Sequence, residues 1–196
     1  SAVMFVDIVG YTAIMQKNER EAVRMRNLLR RVLDRQIPEY EGRIVQYYGD
    51  GALSLFKSAL KAVNSAIKIQ EKLKKHFVPV RVGLHQGEVV YSNEGLYGSA
   101  VNIASRIEAL AEAGSILISE KIYEEIRNHN EIKFREVGHF ELRNVDGPLK
   151  LFSIMDTNAA CYNEEIKIRW RELHSVQIRT ALVRPYLSHT NPGLLN

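Results

Sequence analysis

Two aspartates stand where a carboxylate can do chemistry. Asp7 lies at the end of an apolar run, Ala2 to Ile8, and is followed by Val9-Gly10-Tyr11-Thr12. Asp50 sits in Gly49-Asp50-Gly51, between two short strand-like runs, Arg43 to Tyr48 and Ala52 to Phe56. Taken singly, each has an ordinary explanation: Asp7 as a helix cap, Asp50 as a residue of a tight turn. If they converge, two like charges out of water repel, and a cation must sit between them. Hard oxygen donors of this kind favour Mg²⁺ or Mn²⁺ carried on a triphosphate. Gly10, just after a strand, lets backbone N–H groups approach phosphate oxygens, although a plain strand-to-helix turn would use the same residue. No GxxxxGK[ST] string occurs, which excludes a Walker-type loop. A third group is Asn102 with Arg106, four residues apart and so on one helical face, beside the small residues Ala100, Ala104 and Ser105. Arg can stabilise developing phosphate charge and Asn can orient a ribose or a phosphate. An isolated pair of this kind is ordinarily helix surface.

These residues need elements to hold them. The run ending at Asp7 reads as a strand covered on both faces. Asn18 with Glu21 marks a helix start in the manner of a capping box, followed by Met25, Leu29, Val32 and Leu33 at helical spacing, and Gly42 ends that element. Gly49-Asp50-Gly51 reads as a hairpin turn. Ala62, Val63, Ala66, Ile67, Gln70 and Leu73 define a second amphipathic helix. Pro79 to Leu84 and Glu88 to Tyr91 read as strands about Gly87, Ser99 to Ala111 as a helix stopped by Gly114, and Ser115 to Ile118 as a strand. Ser119 is placed as the cap of a short helix running to Arg127. Phe134 to Leu142 and Leu149 to Met155 read as two final strands with Asp146-Gly147-Pro148 as their turn. This order predicts an α+β fold: a ferredoxin-like βαββαβ core, a mixed sheet, and additional strands and helices. Residues 1–156 form the expected domain. Residues 157–196 change character and are expected to be a partly helical extension, with a helix over 164–182.

Composition narrows the function classes. Of 196 residues, 45% are hydrophobic and 26% charged, the profile of a packed globular chain rather than a disordered one. Lys and Arg exceed Asp and Glu by 27 to 23, which suits an anionic ligand but does not argue for nucleic acid. The arginine-rich first helix, with Arg20, Arg24, Arg30, Arg31 and Arg35, is read as a solvated face. One cysteine, Cys161, excludes a disulfide within the chain and makes a Cys-based zinc site unexpected; the six histidines show no metal spacing. No run of 18 apolar residues and no signal-peptide pattern occurs, so no membrane contact and a cytoplasmic setting are expected, within a larger protein or not.

Four strings then carry a family resemblance. Phe5-Val6-Asp7-Ile8-Val9-Gly10-Tyr11-Thr12 resembles the opening motif of class III adenylate/guanylate cyclases. Tyr48-Gly49-Asp50-Gly51-Ala52 resembles their second metal motif, Arg81 to Val89 their central hairpin, and Tyr97 to Arg106 their transition-state motif. The motifs occur in the family's order and cover residues 1 to about 155. The resemblance implies antiparallel homodimers with active sites at the interface. It implies that Asp7, Asp50 and the Ile8 carbonyl hold two Mg²⁺ or Mn²⁺ ions, one activating the ribose 3′-hydroxyl and one gripping the triphosphate. Asn102 would position the ribose and Arg106 stabilise the α-phosphate charge, both from the partner chain. Val9, Gly10, Tyr11, Thr12 and Arg143 would touch the substrate.

The base-reading positions depart from the family pattern. Where adenylate cyclases usually carry a Lys and an Asp, this chain has Gln46 and Gly95, and guanylate cyclases typically place Glu where Gln46 stands. A glutamine amide presents either a donor or an acceptor, and glycine presents nothing. The expected substrate is ATP with relaxed discrimination against GTP. Glu94, beside Gly95, is a candidate substitute. Glu88 stands where mammalian-type halves carry Arg, and Arg143 and Asn144 stand where a Lys often meets the triphosphate. The alternative to an active cyclase is a cyclase-like dimer that binds nucleotide or transmits a signal without turnover.

Overall fold

The computed structural model describes residues 1–92, 95–142, 145 and 147–155. Among the described residues, nine strands and five helices run in the order β1 (Ala2–Ile8), α1 (Tyr11–Lys17), α2 (Glu19–Glu39), β2 (Arg43–Tyr48), β3 (Gly51–Phe56), α3 (Ala59–Lys74), β4 (Val80–Gln86), β5 (Val90–Ser92), β6 (Gly95–Tyr97), α4 (Ser99–Leu110), β7 (Ile116–Ser119), α5 (Glu120–Ile126), β8 (Phe134–Phe140) and β9 (Leu149–Ile154). Seven strands form one sheet in the order β2-β3-β1-β4-β7-β9-β8. The first four are mutually antiparallel, which is the strand order of the expected ferredoxin-like core. β7 joins β4 in parallel and makes the sheet mixed.

Strand alternation sends successive β1 side chains to opposite faces. Met4, Val6 and Ile8 pack with Leu29, Leu33, Ile69 and Leu73 of α2 and α3. Val3 packs on the other face with Leu53, Leu55, Ala100 and Ala104, under α4. Each fully buried aliphatic side chain contributes about 1.5–3 kcal/mol. β1 is thus covered on both faces, and Asp7, in phase with Val3 and Phe5, belongs to the α4 face. Helix α4 lies very close to β4: a Cβ added at Gly83 would fall 2.2 Å from the Glu108 backbone nitrogen. Only glycine permits this approach.

Three local expectations are corrected. Glu88 to Tyr91 does not pair back onto β4. Both edges of β4 are taken, by β1 and by β7, so the segment instead forms a separate ribbon of β5 with β6, Val90 opposite Tyr97. Ser119 makes no side-chain cap to α5; its hydroxyl bonds His85 Nδ1 at 2.8 Å in the interior. Asn18 caps α2 through Oδ1 to the Glu21 amide, but the Glu21 carboxylate goes to Arg24 rather than completing a capping box. Among the described residues no helix is long and apolar enough to cross a membrane. The extension 157–196 with its expected helix, Cys161, and the turn residue Asp146 lie outside the described residues.

Candidate active site

Register brings the acidic residues together. Asp7 lies opposite Gly51 of β3 on one side and Arg81 of β4 on the other. Because Asp50 immediately precedes Gly51, the β2–β3 turn sits beside Asp7. A Cβ at Gly51 would come 2.7 Å from the Val6 carbonyl oxygen and 3.1 Å from Asp7 Oδ1, so glycine there is what lets the turn approach. The expected convergence of Asp7 and Asp50 is therefore present. An open cleft of about 580 Å³ lies over them, lined on one wall by Phe5, Asp7, Tyr48 and Asp50 and on the other by Asn102, Ser105 and Glu108 of α4.

Two residues of this site were not singled out from the sequence. Arg81 Nη2 donates to Asp7 Oδ2 at 3.0 Å, and its Nε pairs with Glu108 Oε1. Signals for both exist: Arg81 interrupts the apolar strand Val80 to Leu84, and Glu108 follows Ser105 by three on the cleft face of α4. Their pairing, however, needs β4 and α4 already in contact. Burial, followed by the charges of Glu108 and Asp50, pushes the Asp7 carboxyl up from 3.8 to about 7 against the opposing pull of Arg81. Burial also raises Glu108. Asp7 and Glu108 thus share one guanidinium, with the charge of Asp50 close by. Such a site is under-neutralised, and a divalent cation held by oxygen donors suits it. Among the described residues no cluster of three or more His, Cys, Asp or Glu forms a ready metal cage. Asp7 and Asp50, with a neighbouring backbone oxygen, are the donors that would hold such an ion.

The other expected residues fall as follows. Ile8 ends β1, buried and opposite Val80, and offers only its backbone. The Val9 N–H is taken by the Pro79 carbonyl at 2.7 Å, which leaves it no proton for a phosphate. Gly10 is left-handed, φ 73°, and starts the seven-residue helix α1, with Thr12 exposed on it. Tyr11 packs against the main core, and its buried hydroxyl has no hydrogen-bond partner among the described residues. Gln46 is exposed at a bulge of β2, two residues before Tyr48, with its cross-strand partner Leu53 packed on the α4 face. Gly95 opens β6 opposite Ser92. Arg143, Asn144 and Glu94 lie outside the described residues. Asn102 lines the cleft and is exposed. Arg106 does not line it; it is half-buried, and its buried Nη1 has no hydrogen-bond partner among the described residues. The cleft of one chain therefore has acids but no free cation of its own among the described residues. Tyr48, 43% exposed, stacks on Phe5 at its rim with ring centroids 6.2 Å apart.

Comparison with known proteins agrees with this arrangement. Residues 1–156 match the family model described as the adenylate and guanylate cyclase catalytic domain. An adenylate cyclase of Anabaena cylindrica is 31% identical over 147 residues, covering 61% of this chain and 29% of its own. A crystal structure of an adenylate/guanylate cyclase/hydrolase from Silicibacter pomeroyi superposes with a TM-score of 0.73 at 27% identity, covering 79% of this chain and 95% of that one. The catalytic core of a rhodopsin-guanylyl cyclase with converted specificity, solved with ATPαS, superposes with a TM-score of 0.70 at 26% identity, covering 79% and 93%. The chain spans only 28%, 19% and 42% of its relatives from Rhizobium meliloti, Myxococcus xanthus and Mycobacterium bovis. With the fold, the paired aspartates and the family model in agreement, this chain belongs to the adenylate and guanylate cyclase catalytic domain family.

Proposed function

We propose that the domain converts a nucleoside triphosphate, ATP in preference, to its 3′,5′-cyclic monophosphate and pyrophosphate, at sites shared by two antiparallel copies. The observation that carries this reading is the placement of Asp7 and Asp50 on one wall of a cleft whose acids outnumber its cations. A triphosphate cannot be held against such a wall unaided. Asp7, Asp50 and the Ile8 carbonyl would hold Mg²⁺ or Mn²⁺, two ions per site, which supply charge neutralisation and an acidified ribose hydroxyl when bound. The remaining cation comes from the second copy. Its Arg106, whose Nη1 has no partner among the described residues, faces the charge that grows on the α-phosphate while its Asn102 fixes the ribose. The bond from the 3′-oxygen to the α-phosphorus forms as the bond to the pyrophosphate oxygen breaks. Val9 contributes no amide here, so the early loop acts through Gly10 and Thr12. The base rests beside Gln46, without the charged reader at that position or any side chain at Gly95, so discrimination is relaxed. The domain works in cyclic-nucleotide signalling, on the cytoplasmic side.

The test is product analysis with each of the four nucleoside triphosphates and Mn²⁺, then mixing of mutant chains. Wild type is expected to yield cyclic AMP foremost and cyclic GMP as a clear second product. Asp7→Ala and Arg106→Ala chains should each be inactive and regain activity on mixing, because one interfacial site of the heterodimer is intact. Heterodimers that form yet stay silent overturn the shared site. Absence of product from all four substrates turns the reading to the non-catalytic dimer. A preference for ATP above ~1,000-fold, about 4 kcal/mol, overturns the account of Gln46 and Gly95.

A further inference from the structure

The arginine-rich helix has a use that the cleft does not absorb. Its arginines divide by partner. Arg24 is bound to Glu21, and Arg30 lies over the Tyr47 ring at 4.9 Å. Arg31 and Arg35, one turn apart and exposed, instead line a groove of about 380 Å³ between α2 and the end of α3, whose other wall is Lys72, Lys75 and His76. None of the five has an ion-pair partner among the described residues. The acids nearest in sequence are occupied: Asp34 by the Tyr47 hydroxyl at 2.5 Å, Glu39 by Gln36 Nε2 at 3.0 Å, and Glu71 by Lys68 at 2.8 Å. The C-terminal end of α3 supplies roughly half a negative charge, which offsets only a fraction of four permanent cations.

The groove also has a built interior. Gln36 is 1% exposed and lines it, and its buried Oε1 has no hydrogen-bond partner among the described residues. An unmet acceptor in a ring of cations asks for a ligand that is strongly anionic and still carries a proton. A carboxylate or sulfate at neutral pH has no such proton, whereas a condensed phosphate keeps a P–OH. The volume is in the small-molecule range, and two cationic walls suit two linked phosphates. We propose that this groove, on the sheet face opposite the cleft, binds a protonated diphosphate anion, with inorganic pyrophosphate as the occupant. Arg31 and Arg35 grip one phosphate, Lys72 and Lys75 the other, and Gln36 turns its buried Oε1 outward to accept from the P–OH. His76 adds a fifth donor.

The experiment is calorimetric titration of inorganic pyrophosphate into the whole chain in EDTA, where the acid-lined cleft has no metal to attract the anion. The titration is repeated in an Asp7→Asn background, so that loss of the cyclase reading and loss of this one are told apart. One site per chain is expected, weakening with salt and unchanged by Asp7→Asn. Arg35→Gln, exposed, and Lys72→Gln, half-buried at the groove wall, should each weaken binding at least tenfold with the thermal midpoint unmoved. Gln36→Leu should weaken pyrophosphate while leaving the weaker binding of sulfate unchanged. Pyrophosphate affinity that stays within twofold in the Arg35→Gln, Lys72→Gln double variant overturns the site. So does sulfate binding as tightly as pyrophosphate. A polyglutamate peptide that binds where pyrophosphate does not would also overturn it, and would assign the groove to an acidic protein segment.

Discussion

Replacing Asp7 by Asn should make the protein more stable at alkaline pH even as it removes a proposed metal ligand. Asp7 is held at about 7 in the fold and at 3.8 as an ordinary carboxyl, chiefly by burial. Between these values the folded state keeps a proton that the unfolded chain has released. Stability contributed by this residue therefore falls as pH rises from about 4 to about 7, and the full cost stands above that window. The gap is worth about 4 kcal/mol as a ceiling. Asn keeps the shape and can still accept from Arg81, but carries no charge. The side chain is 27% exposed and shares Arg81 with Glu108, so part of the ceiling is lost to water and to the relaxed network. About 1–3 kcal/mol of stabilisation at pH 8 remains, or a midpoint rise of about 2–10 °C. The gain should shrink steadily toward pH 4 and vanish there. Added Mn²⁺ should raise the midpoint of wild type and not of the variant, since only wild type gains a ligand that the folded state binds selectively. Thermal scans at pH 8, 6 and 4, with and without Mn²⁺, decide it. An Asp7→Asn protein that is less stable at pH 8, or equally stable at all three values, refutes the claim that the aspartate is held against its own charge.

Three further outcomes follow from the geometry. Gly83→Ala puts a Cβ 2.2 Å from the Glu108 nitrogen and 2.5 Å from its Cα; the contact is backbone, so α4 must move, and denaturant unfolding should show a loss of about 3 kcal/mol. His85, lowered from 6.5 to about 4 by burial, is neutral in the fold; its contribution is complete above about 6.5 and lost as pH falls toward 4, by up to about 3 kcal/mol. His85→Gln should flatten that part of the stability–pH curve, which chemical denaturation at pH 7.5 and 4.5 would reveal. Asn18→Ala removes the cap on the Glu21 amide and should cost about 1 kcal/mol by the same measurement.

The acid pair could be read from the sequence because each member stands where an apolar run begins or ends, Asp7 closing the run of β1 and Asp50 in the short Gly49-Asp50-Gly51 turn that leads into β3. The ferredoxin-like order follows from the same signal. Arg81 and Glu108 could not be assigned in that way. They meet only because Gly83 lets α4 settle on β4, a contact between segments far apart in sequence. The ribbon of β5 and β6 is likewise non-local in origin: what excludes Glu88 to Tyr91 from the main sheet is β7, which joins β4 after another twenty residues and more. Ser119 shows how tertiary context overrides local propensity. Its position is that of an N-cap, yet its hydroxyl satisfies a buried histidine that would otherwise lack a partner on Nδ1.

The distribution of charge gives the site its logic. Asp7, Asp50 and Glu108 line or border the cleft, and Arg81, the cation among them, is spent on Asp7 and Glu108. Meanwhile Arg106 has a buried nitrogen without a partner among the described residues and does not line the cleft of its own chain. Neither arrangement is complete alone. An acid-lined cleft repels a triphosphate, and a guanidinium with an unmet donor stands apart from the charge it could stabilise. On the function proposed above, metal ions and a second copy would remove both deficits together: a chain built this way would be quiet as a monomer, and its activity would follow whatever brings two copies into register.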